Sequence, residues 1–152
     1  MTTGSAANKQ DLDRALFEYG VVPVIVLSDA VQAEPLGEAL LAGGLPVAEV
    51  TFRSDAALEG IRIMAKRYPE LLVGAGTVLS TDQAKAAADA GASFIVTPGF
   101  NPAVVDFCLD NKMAIYPGIS GTGEIEAALS RGLEVVKFFP AEALGGVGML
   151  KA

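Results

Sequence analysis

Short apolar stretches alternate with longer segments of helical periodicity along most of the chain. The apolar stretches are rich in β-branched residues and are bounded by Gly, Pro, Ser or Asn, which is typical of strands. The longer segments place Ala and Leu at the spacing of a buried helix face. The pattern predicts strands at 21–27, 46–52, 71–77, 93–98, 113–118 and 134–139, and helices at 9–18, 31–42, 55–67, 81–90, 101–111 and 122–131.

Residues with strong positional preferences stand at several of these boundaries. Asn101 and Pro102 predict a helix start, because Asn caps free N–H groups and Pro fits the first helical position. Ser54 and Ser80 offer side-chain oxygens at two further helix starts. Gly91, like Gly43-Gly44 and Gly132, predicts a helix end at which a left-handed residue is needed.

Strands that alternate with helices predict a parallel sheet with right-handed crossovers, which is either an open doubly wound sheet or a barrel. Along 46–52, Glu49 and Thr51 point to one face, while Val50 and Phe52 point to the other. An open sheet covered by helices on both sides is apolar on both faces, whereas polar side chains converge at the mouth of a barrel. We therefore expect an α/β fold of the TIM (β/α)8 type.

The number of strands is smaller than a complete barrel requires. Six strands are predicted, and a full barrel usually has eight in about 200–250 residues. The closing sequence, GGVGMLKA, predicts the start of the helix that follows the sixth strand. Residues 1–152 are therefore expected to form a single, partial barrel domain truncated after the sixth strand, whose open edges need a partner or a rearrangement to cover them.

Composition narrows the function classes. The net charge is −7 and the 11 Lys and Arg residues are scattered singly, so nucleic acid is not an expected partner. No apolar run is long enough to span a membrane, and the N-terminus lacks the apolar core of a signal peptide. The sequence predicts a soluble, cytoplasmic protein without a membrane partner.

The residue types present also limit the chemistry. The chain has no His and a single Cys, so it cannot form an internal disulfide, a histidine-based triad or a common zinc site. We expect no metal and no cofactor, and proton transfer by Glu, Asp, Lys, Tyr or water. Cys108 is interpreted as a buried helix residue.

Lys137 is the most unusual residue of the chain. It lies in the middle of the predicted strand EVVKFF, with apolar neighbours on both sides and an expected inward orientation. In its ordinary interpretation, the side chain extends to solvent. In the alternative, apolar surroundings and a nearby cation destabilise the ammonium, and the neutral amine is a nucleophile that forms a Schiff base with a carbonyl.

Glu49 and Arg53 are expected to face the same interior. Glu49 is the candidate proton carrier in a chain without His, or else a charge partner for Arg53 or Lys137. Arg53 can hold a substrate carboxylate through two hydrogen bonds, or else form a salt bridge with Glu49. The segment GAGT, 74–77, is a weak phosphate-binding signal or a site of close packing, and Thr77 adds a hydroxyl at the barrel mouth.

Six segments, in order and spacing, resemble the 2-keto-3-deoxy-6-phosphogluconate (KDPG) aldolases, a family that includes enzymes cleaving 4-hydroxy-2-oxoglutarate. They are VVPVIVL, AEVTFRS, VGAGTVL, VTPGF, YPGIS and VKFFPAEALGG. The resemblance extends from about Val21 to Ala152 and is most specific in the pair EVTFR and VKFFPAE, which favours the gluconate rather than the galactonate branch.

The resemblance implies a metal-independent class I aldolase that acts on a small 2-keto acid as a homotrimer. In this family pattern Lys137 matches the Schiff-base lysine and Glu49 the general acid/base. Arg53 and Thr77 match residues that hold the pyruvate carboxylate or line its site. Pro98 and Phe139 match positions in the pocket wall.

One part of the family pattern has no counterpart here. The family builds its phosphate site after strands seven and eight, so the sequence predicts a pyruvate half-site and low stability or activity for 152 residues alone. Two alternatives therefore remain open at this stage. Besides a KDPG aldolase, the chain can be a non-catalytic barrel fragment that serves in assembly, or a Schiff-base lyase with a different aldehyde partner.

Overall fold

The computed structural model describes residues 9–152, which alternate between helices and parallel strands. The elements are α1 (Lys9–Tyr19), β1 (Val24–Ile25), α2 (Ala33–Ala42), β2 (Val47–Thr51), α3 (Ala57–Arg67), β3 (Leu72–Gly76), α4 (Thr81–Asp89), β4 (Phe94–Val96), α5 (Pro102–Asp110), β5 (Ile115–Tyr116), β6 (Gly118–Ile119), α6 (Thr122–Leu129), β7 (Lys137–Phe138) and α7 (Gly146–Leu150). Short 3₁₀ turns cover Ala30–Gln32 and Glu142–Leu144.

The strands form two consecutive parallel sheets. Strands β1 to β5 pair in chain order, and β6 pairs with β7. Only Pro117 separates β5 from β6, and its carbonyl accepts a hydrogen bond from the Lys137 N–H at 2.9 Å. Because proline has no N–H to donate, the ladder is interrupted there, and the fifth predicted strand is observed as two short pieces.

The predicted elements are found in the predicted order, but some boundaries differ. The strands predicted at 21–27 and 134–139 are only two residues long, at Val24–Ile25 and Lys137–Phe138. They are the first and the last strand of the part of the chain that the structure describes, and each pairs with only one neighbouring strand there. The helix predicted from 55 begins at Ala57, because Ser54 donates its hydroxyl to the Leu27 carbonyl and does not cap the helix.

Other local predictions are confirmed. Asn101 accepts a hydrogen bond from the Ala103 N–H with Pro102 in the first turn, and Ser80 accepts one from the Gln83 N–H. Gly91 has a positive φ of 98°, as a helix-terminating left-handed residue requires. The helix predicted in the closing sequence is α7.

The sheet is buried on both faces, and the two faces have different partners. The outer face packs against the helices, with Val50, Val73, Ile95 and Ile115 in a large apolar cluster that also holds Ile61. The inner face carries a second cluster around Val47, Phe94, Val96 and Tyr116, into which Leu12 of α1 packs. This inner cluster shows the two-sided burial that a barrel interior requires.

Helix α1 covers the inner face near the amino ends of the strands. The Tyr116 hydroxyl donates a hydrogen bond to Asp13 at 2.6 Å, and Lys9 forms an ion pair with the same carboxylate at 2.6 Å. The rings of Phe94 and Tyr116 meet edge to face, with centroids 5.8 Å apart. This end of the sheet is therefore closed, which leaves the carboxyl ends of the strands as the accessible end. No helix within residues 9–152 is both long and apolar enough to cross a lipid bilayer.

Candidate active site

Lys137 and Glu49 meet on the inner face of the sheet, although 88 positions separate them in the chain. The Lys137 Nζ donates hydrogen bonds to Glu49 Oε1 at 3.2 Å and to Oε2 at 3.5 Å. The Glu49 side chain is 5% exposed and that of Lys137 is 25% exposed. A buried carboxylate is thus held within proton-transfer distance of a primary amine.

Strand register explains the position of Glu49. It lies in the middle of β2, opposite Val24 on one side and Gly74 on the other. Since side chains alternate along a strand, Glu49 and Val47 share the inner face while Val50 packs into the outer cluster. The inward orientation that the sequence predicts for Glu49 is therefore observed.

The surroundings of Lys137 differ from the sequence prediction in two respects. The charged group in contact with Lys137 is the Glu49 carboxylate, and not a cation, because Arg53 is directed elsewhere. The Lys137 side chain is also more exposed to solvent than its apolar neighbours suggested. In the described part of the chain, β7 pairs only with β6 and its other edge is uncovered. The Phe139 ring covers the amine, with its centroid 5.2 Å from the Lys137 Nζ.

Arg53 and Thr77 form a second pair at the carboxyl end of the sheet. The pairing of Thr51 with Gly76 brings the ends of β2 and β3 together, and the Arg53 Nε donates to Thr77 Oγ1 at 3.2 Å. Arg53 is exposed, and its guanidinium hydrogen-bonds Thr77 instead of forming the alternative salt bridge with Glu49. Thr77 has a positive φ of 55°, an uncommon conformation for a β-branched residue that is often found at functional sites.

Pro98 follows β4 at the same end of the sheet and is half-buried. It lines an open cleft of about 350 Å³ together with Thr97, Asn101 and Glu124. Arg53 lines a separate open cleft of about 400 Å³ with Ser54 and other residues. The structure therefore brings Lys137, Glu49 and Phe139 together, pairs Arg53 with Thr77, and places Pro98 on a neighbouring cleft.

The GAGT segment is a site of close packing. A Cβ atom on Gly74 would lie 2.0 Å from the Phe94 ring, and one on Gly76 would lie 2.2 Å from Glu49 Oε1. The second of the two interpretations from the sequence is thus the one that the structure supports. The particular contact of Gly76 with Glu49 was missed, and the alternation of Gly at 74 and 76 on one strand face was its only sequence signal.

Among the described residues, neither the acidic side chains nor the single Cys forms a second candidate centre. Among residues 9–152, no group of three or more Cys, Asp or Glu side chains is arranged to hold a metal ion. Cys108 is fully buried in α5, and burial raises the pKa of its thiol to about 11. The interpretation of Cys108 as a buried helix residue is therefore confirmed.

Comparison with known proteins identifies the family. The family model for KDPG and KHG aldolases matches residues 12–152. A 2-dehydro-3-deoxy-phosphogluconate aldolase from Haemophilus influenzae is 48% identical over 143 residues, which are 94% of this chain and 68% of that protein. The corresponding aldolase from Treponema pallidum is 49% identical over 138 residues, or 91% of this chain and 66% of that protein. The chain thus spans about two thirds of the length of these curated relatives.

Solved structures give the same result. The aldolase of Zymomonas mobilis, crystallised with 3-phosphoglycerate, aligns with a TM-score of 0.89 and 42% identity, covering 94% of this chain and 68% of that one. The Legionella pneumophila KDPG aldolase, with pyruvate captured as a covalent carbinolamine, aligns with a TM-score of 0.83 and 38% identity, covering 86% of this chain and 63% of that one. The predicted barrel-type α/β fold and the aldolase interpretation are confirmed at the level of the family. The chain belongs to the KDPG and KHG aldolase family.

Proposed function

We propose that this chain carries the pyruvate-binding, Schiff-base-forming site of a class I aldolase. The full reaction is the reversible cleavage of 2-keto-3-deoxy-6-phosphogluconate to pyruvate and glyceraldehyde 3-phosphate, with 4-hydroxy-2-oxoglutarate as a second substrate. The observation that carries the proposal is the 3.2 Å contact between the Lys137 amine and the buried Glu49 carboxylate on the inner face of the sheet. Family membership supports the reaction type.

The first step is the attack of Lys137 on the keto carbon. The ammonium loses a proton to Glu49, which lies within hydrogen-bond distance, and the neutral amine adds to the carbonyl to give a carbinolamine. Glu49 then returns the proton, through a water molecule, to the departing hydroxyl. The protonated hydroxyl leaves as water, and a protonated imine forms between Lys137 and the substrate.

The second step is the cleavage of the bond between C3 and C4. Glu49, again a carboxylate after the first step, removes the C4 hydroxyl proton through a water molecule, the aldehyde leaves, and the electron pair of the broken bond moves into the imine to form an enamine. Glu49 delivers a proton to C3 of the enamine, and hydrolysis of the resulting imine releases pyruvate and restores the amine. With no His in the chain, the buried Glu49 carboxylate is the proton carrier that the geometry favours.

Arg53 and Thr77 orient the substrate in this mechanism. An exposed guanidinium with a free edge can hold a carboxylate through two parallel hydrogen bonds. Thr77 fixes the guanidinium through its hydroxyl at 3.2 Å, which limits the orientations that Arg53 adopts. Phe139 and Pro98 supply apolar walls, of which Phe139 shields the amine directly.

The proposal can be tested without an aldehyde. An enzyme that forms an enamine exchanges the methyl protons of pyruvate for deuterium in heavy water, and proton NMR follows this reaction. We expect exchange with the native chain, none with Lys137→Met, and a loss of about 100-fold or more with Glu49→Gln. Lys85→Met and Glu59→Gln change exposed residues of the same types and are expected to have no effect. Exchange that survives Lys137→Met would exclude the Schiff-base mechanism.

The assembly and location of the protein are further parts of the proposal. We propose a homotrimer, as the family resemblance implies, located in the cytoplasm, as expected from the sequence. Several large apolar side chains are exposed, among them Phe17 at 86% and Val31 at 70%, which favours association of some kind. Light scattering after size-exclusion chromatography measures the stoichiometry, and a monomer at micromolar concentration would exclude the trimer.

A further inference from the structure

Gly76 occupies a position at which there is no space for a side chain. It is the last residue of β3, pairs with Thr51 of β2 and is buried. A Cβ atom there would lie 2.2 Å from Glu49 Oε1, 2.7 Å from Cγ and 2.8 Å from Cδ. These distances are shorter than any that real Cβ atoms adopt, so a methyl group at 76 and the present Glu49 side chain cannot coexist.

The need for glycine at this position is one of space and not of backbone conformation. Gly76 does not belong to the glycines with positive φ, so alanine can adopt its backbone geometry. The three nearest atoms all belong to Glu49, and none belongs to the backbone of a neighbouring strand. A methyl group at 76 therefore acts first on the Glu49 side chain, which is proposed to carry protons.

Glu49 has little freedom to move away without losing its partner. Its side chain is 5% exposed, and its carboxylate is held by Lys137 at 3.2 Å and 3.5 Å. Because Cγ and Cδ are also too close to the added methyl group, the whole end of the side chain has to rotate. Such a rotation removes the carboxylate from the amine.

We infer that Gly76 is a positioning residue that keeps the Glu49 carboxylate against Lys137, an inference that rests on the proposed function. Lys137 itself is unchanged in Gly76→Ala, so it can still form the imine with pyruvate slowly, whereas the proton transfers assigned to Glu49 become slower. In Gly76→Ala, borohydride is expected to trap pyruvate on Lys137 after long incubation, although at a lower initial rate, while the exchange of pyruvate methyl protons falls by about 100-fold. The absence of an adduct after long incubation would show general damage to the fold and overturn the inference.

A double-mutant cycle with Glu49→Gln separates positioning from a structural role. Glutamine has the shape of glutamate but cannot carry the proton, so Gly76→Ala has nothing further to disturb in that background. We expect Gly76→Ala to slow exchange by about 100-fold in the native chain and by less than about threefold in Glu49→Gln. Similar losses in both backgrounds would contradict the inference. Gly123→Ala, at a helix position where a Cβ atom meets nothing within 4 Å, is the matched control.

A second cycle measures the contact without any enzymatic reaction. Glu49→Ala removes the three atoms that lie nearest to the new methyl group. Gly76→Ala is expected to lower the midpoint of urea unfolding in the native chain and to leave it unchanged in Glu49→Ala, even if Gly76→Ala alone folds poorly. An equal shift in both backgrounds would overturn the inference. Failure of the native chain to trap pyruvate would refute the proposed function instead, and this cycle would still decide the role of Gly76.

Discussion

Replacing Lys137 by methionine is expected to destabilise the fold in a way that depends on pH. Methionine keeps most of the aliphatic volume of lysine but removes the ammonium. Within residues 9–152, Lys137 is the only side chain that donates a hydrogen bond to the Glu49 carboxylate. The variant therefore leaves a carboxylate that is 5% exposed without a cation or a side-chain donor.

The magnitude follows from the exposure of the two partners. Removing one member of a fully buried ion pair costs about 3–5 kcal/mol, and an exposed pair contributes about 0–1 kcal/mol. Glu49 is nearly buried, but the Lys137 side chain is 25% exposed, so we expect a loss of about 2–3 kcal/mol at pH 7. The loss has a ceiling of about 4 kcal/mol, which is the cost of protonating an ordinary glutamate at pH 7.

The pH dependence has a definite sign. In the variant, burial without a cation favours the neutral carboxylic acid, so the folded state binds a proton that the unfolded state lacks. Its stability therefore decreases as pH rises, and the deficit relative to the native chain is smallest at low pH. Urea unfolding between about pH 5 and 8 measures this difference in the free energy of unfolding.

The double variant Lys137→Met/Glu49→Gln provides the control. It has no buried charge, so it should regain more than half of the lost free energy at pH 7. It should also show no change of the deficit with pH. A deficit in Lys137→Met that is constant with pH, or a double variant that is less stable than Lys137→Met, would refute the argument that an uncompensated carboxylate is the cause.

Three further predictions concern residues to which no catalytic or substrate-binding role is assigned. Hydrogen bonds from Ser120 hold the pKa of Glu124 below its ordinary value of 4.5. The contribution of Glu124 to stability is therefore complete above pH 4.5 and is lost as pH falls through the lowered pKa. Glu124→Gln should lower the free energy of unfolding in urea by about 0.5–1 kcal/mol at pH 7, with a difference from the native chain that closes in acid; a difference that widens in acid would contradict this. Burial raises the pKa of the Cys108 thiol to about 11, so a thiol reagent at about pH 8 should label the native chain more than about 100-fold more slowly than the unfolded chain. Comparable rates would show that α5 opens readily. Tyr116→Phe removes the 2.6 Å hydrogen bond to Asp13 and should lower the free energy of unfolding by about 1–2 kcal/mol without changing pyruvate trapping; an unchanged unfolding midpoint would mean that this bond adds nothing to the docking of α1.

The elements of the fold could be predicted because their signals are local. Alternation of side chains placed Glu49 on the inner face, and cap residues such as Asn101 and Ser80 marked helix starts that the structure confirms. Strands β1 and β7 are shorter than predicted, because strand length depends on pairing with neighbouring strands, which an apolar run does not reveal. Ser54 was assigned to a helix cap because its long-range partner, the Leu27 carbonyl, is invisible to local patterns.

The geometry of the candidate site was only partly predictable. The resemblance to a family singled out Lys137 and Glu49, but alternation alone could not show that Lys137 contacts Glu49 rather than Arg53. The choice depends on how far the strands turn around the barrel, which is a property of the whole sheet. The packing of Gly76 against Glu49 is of the same kind, since it arises from the stagger of β2 and β3.

Lys137 is proposed to act as a nucleophile towards pyruvate. The most direct measurement is treatment of the chain with pyruvate and borohydride, followed by intact mass and peptide mapping. We expect one reduced pyruvate adduct per chain, located on Lys137, and no adduct in Lys137→Met. An adduct on another lysine, or its absence from a folded chain, would contradict the claim and leave Lys137 as a structural partner of Glu49.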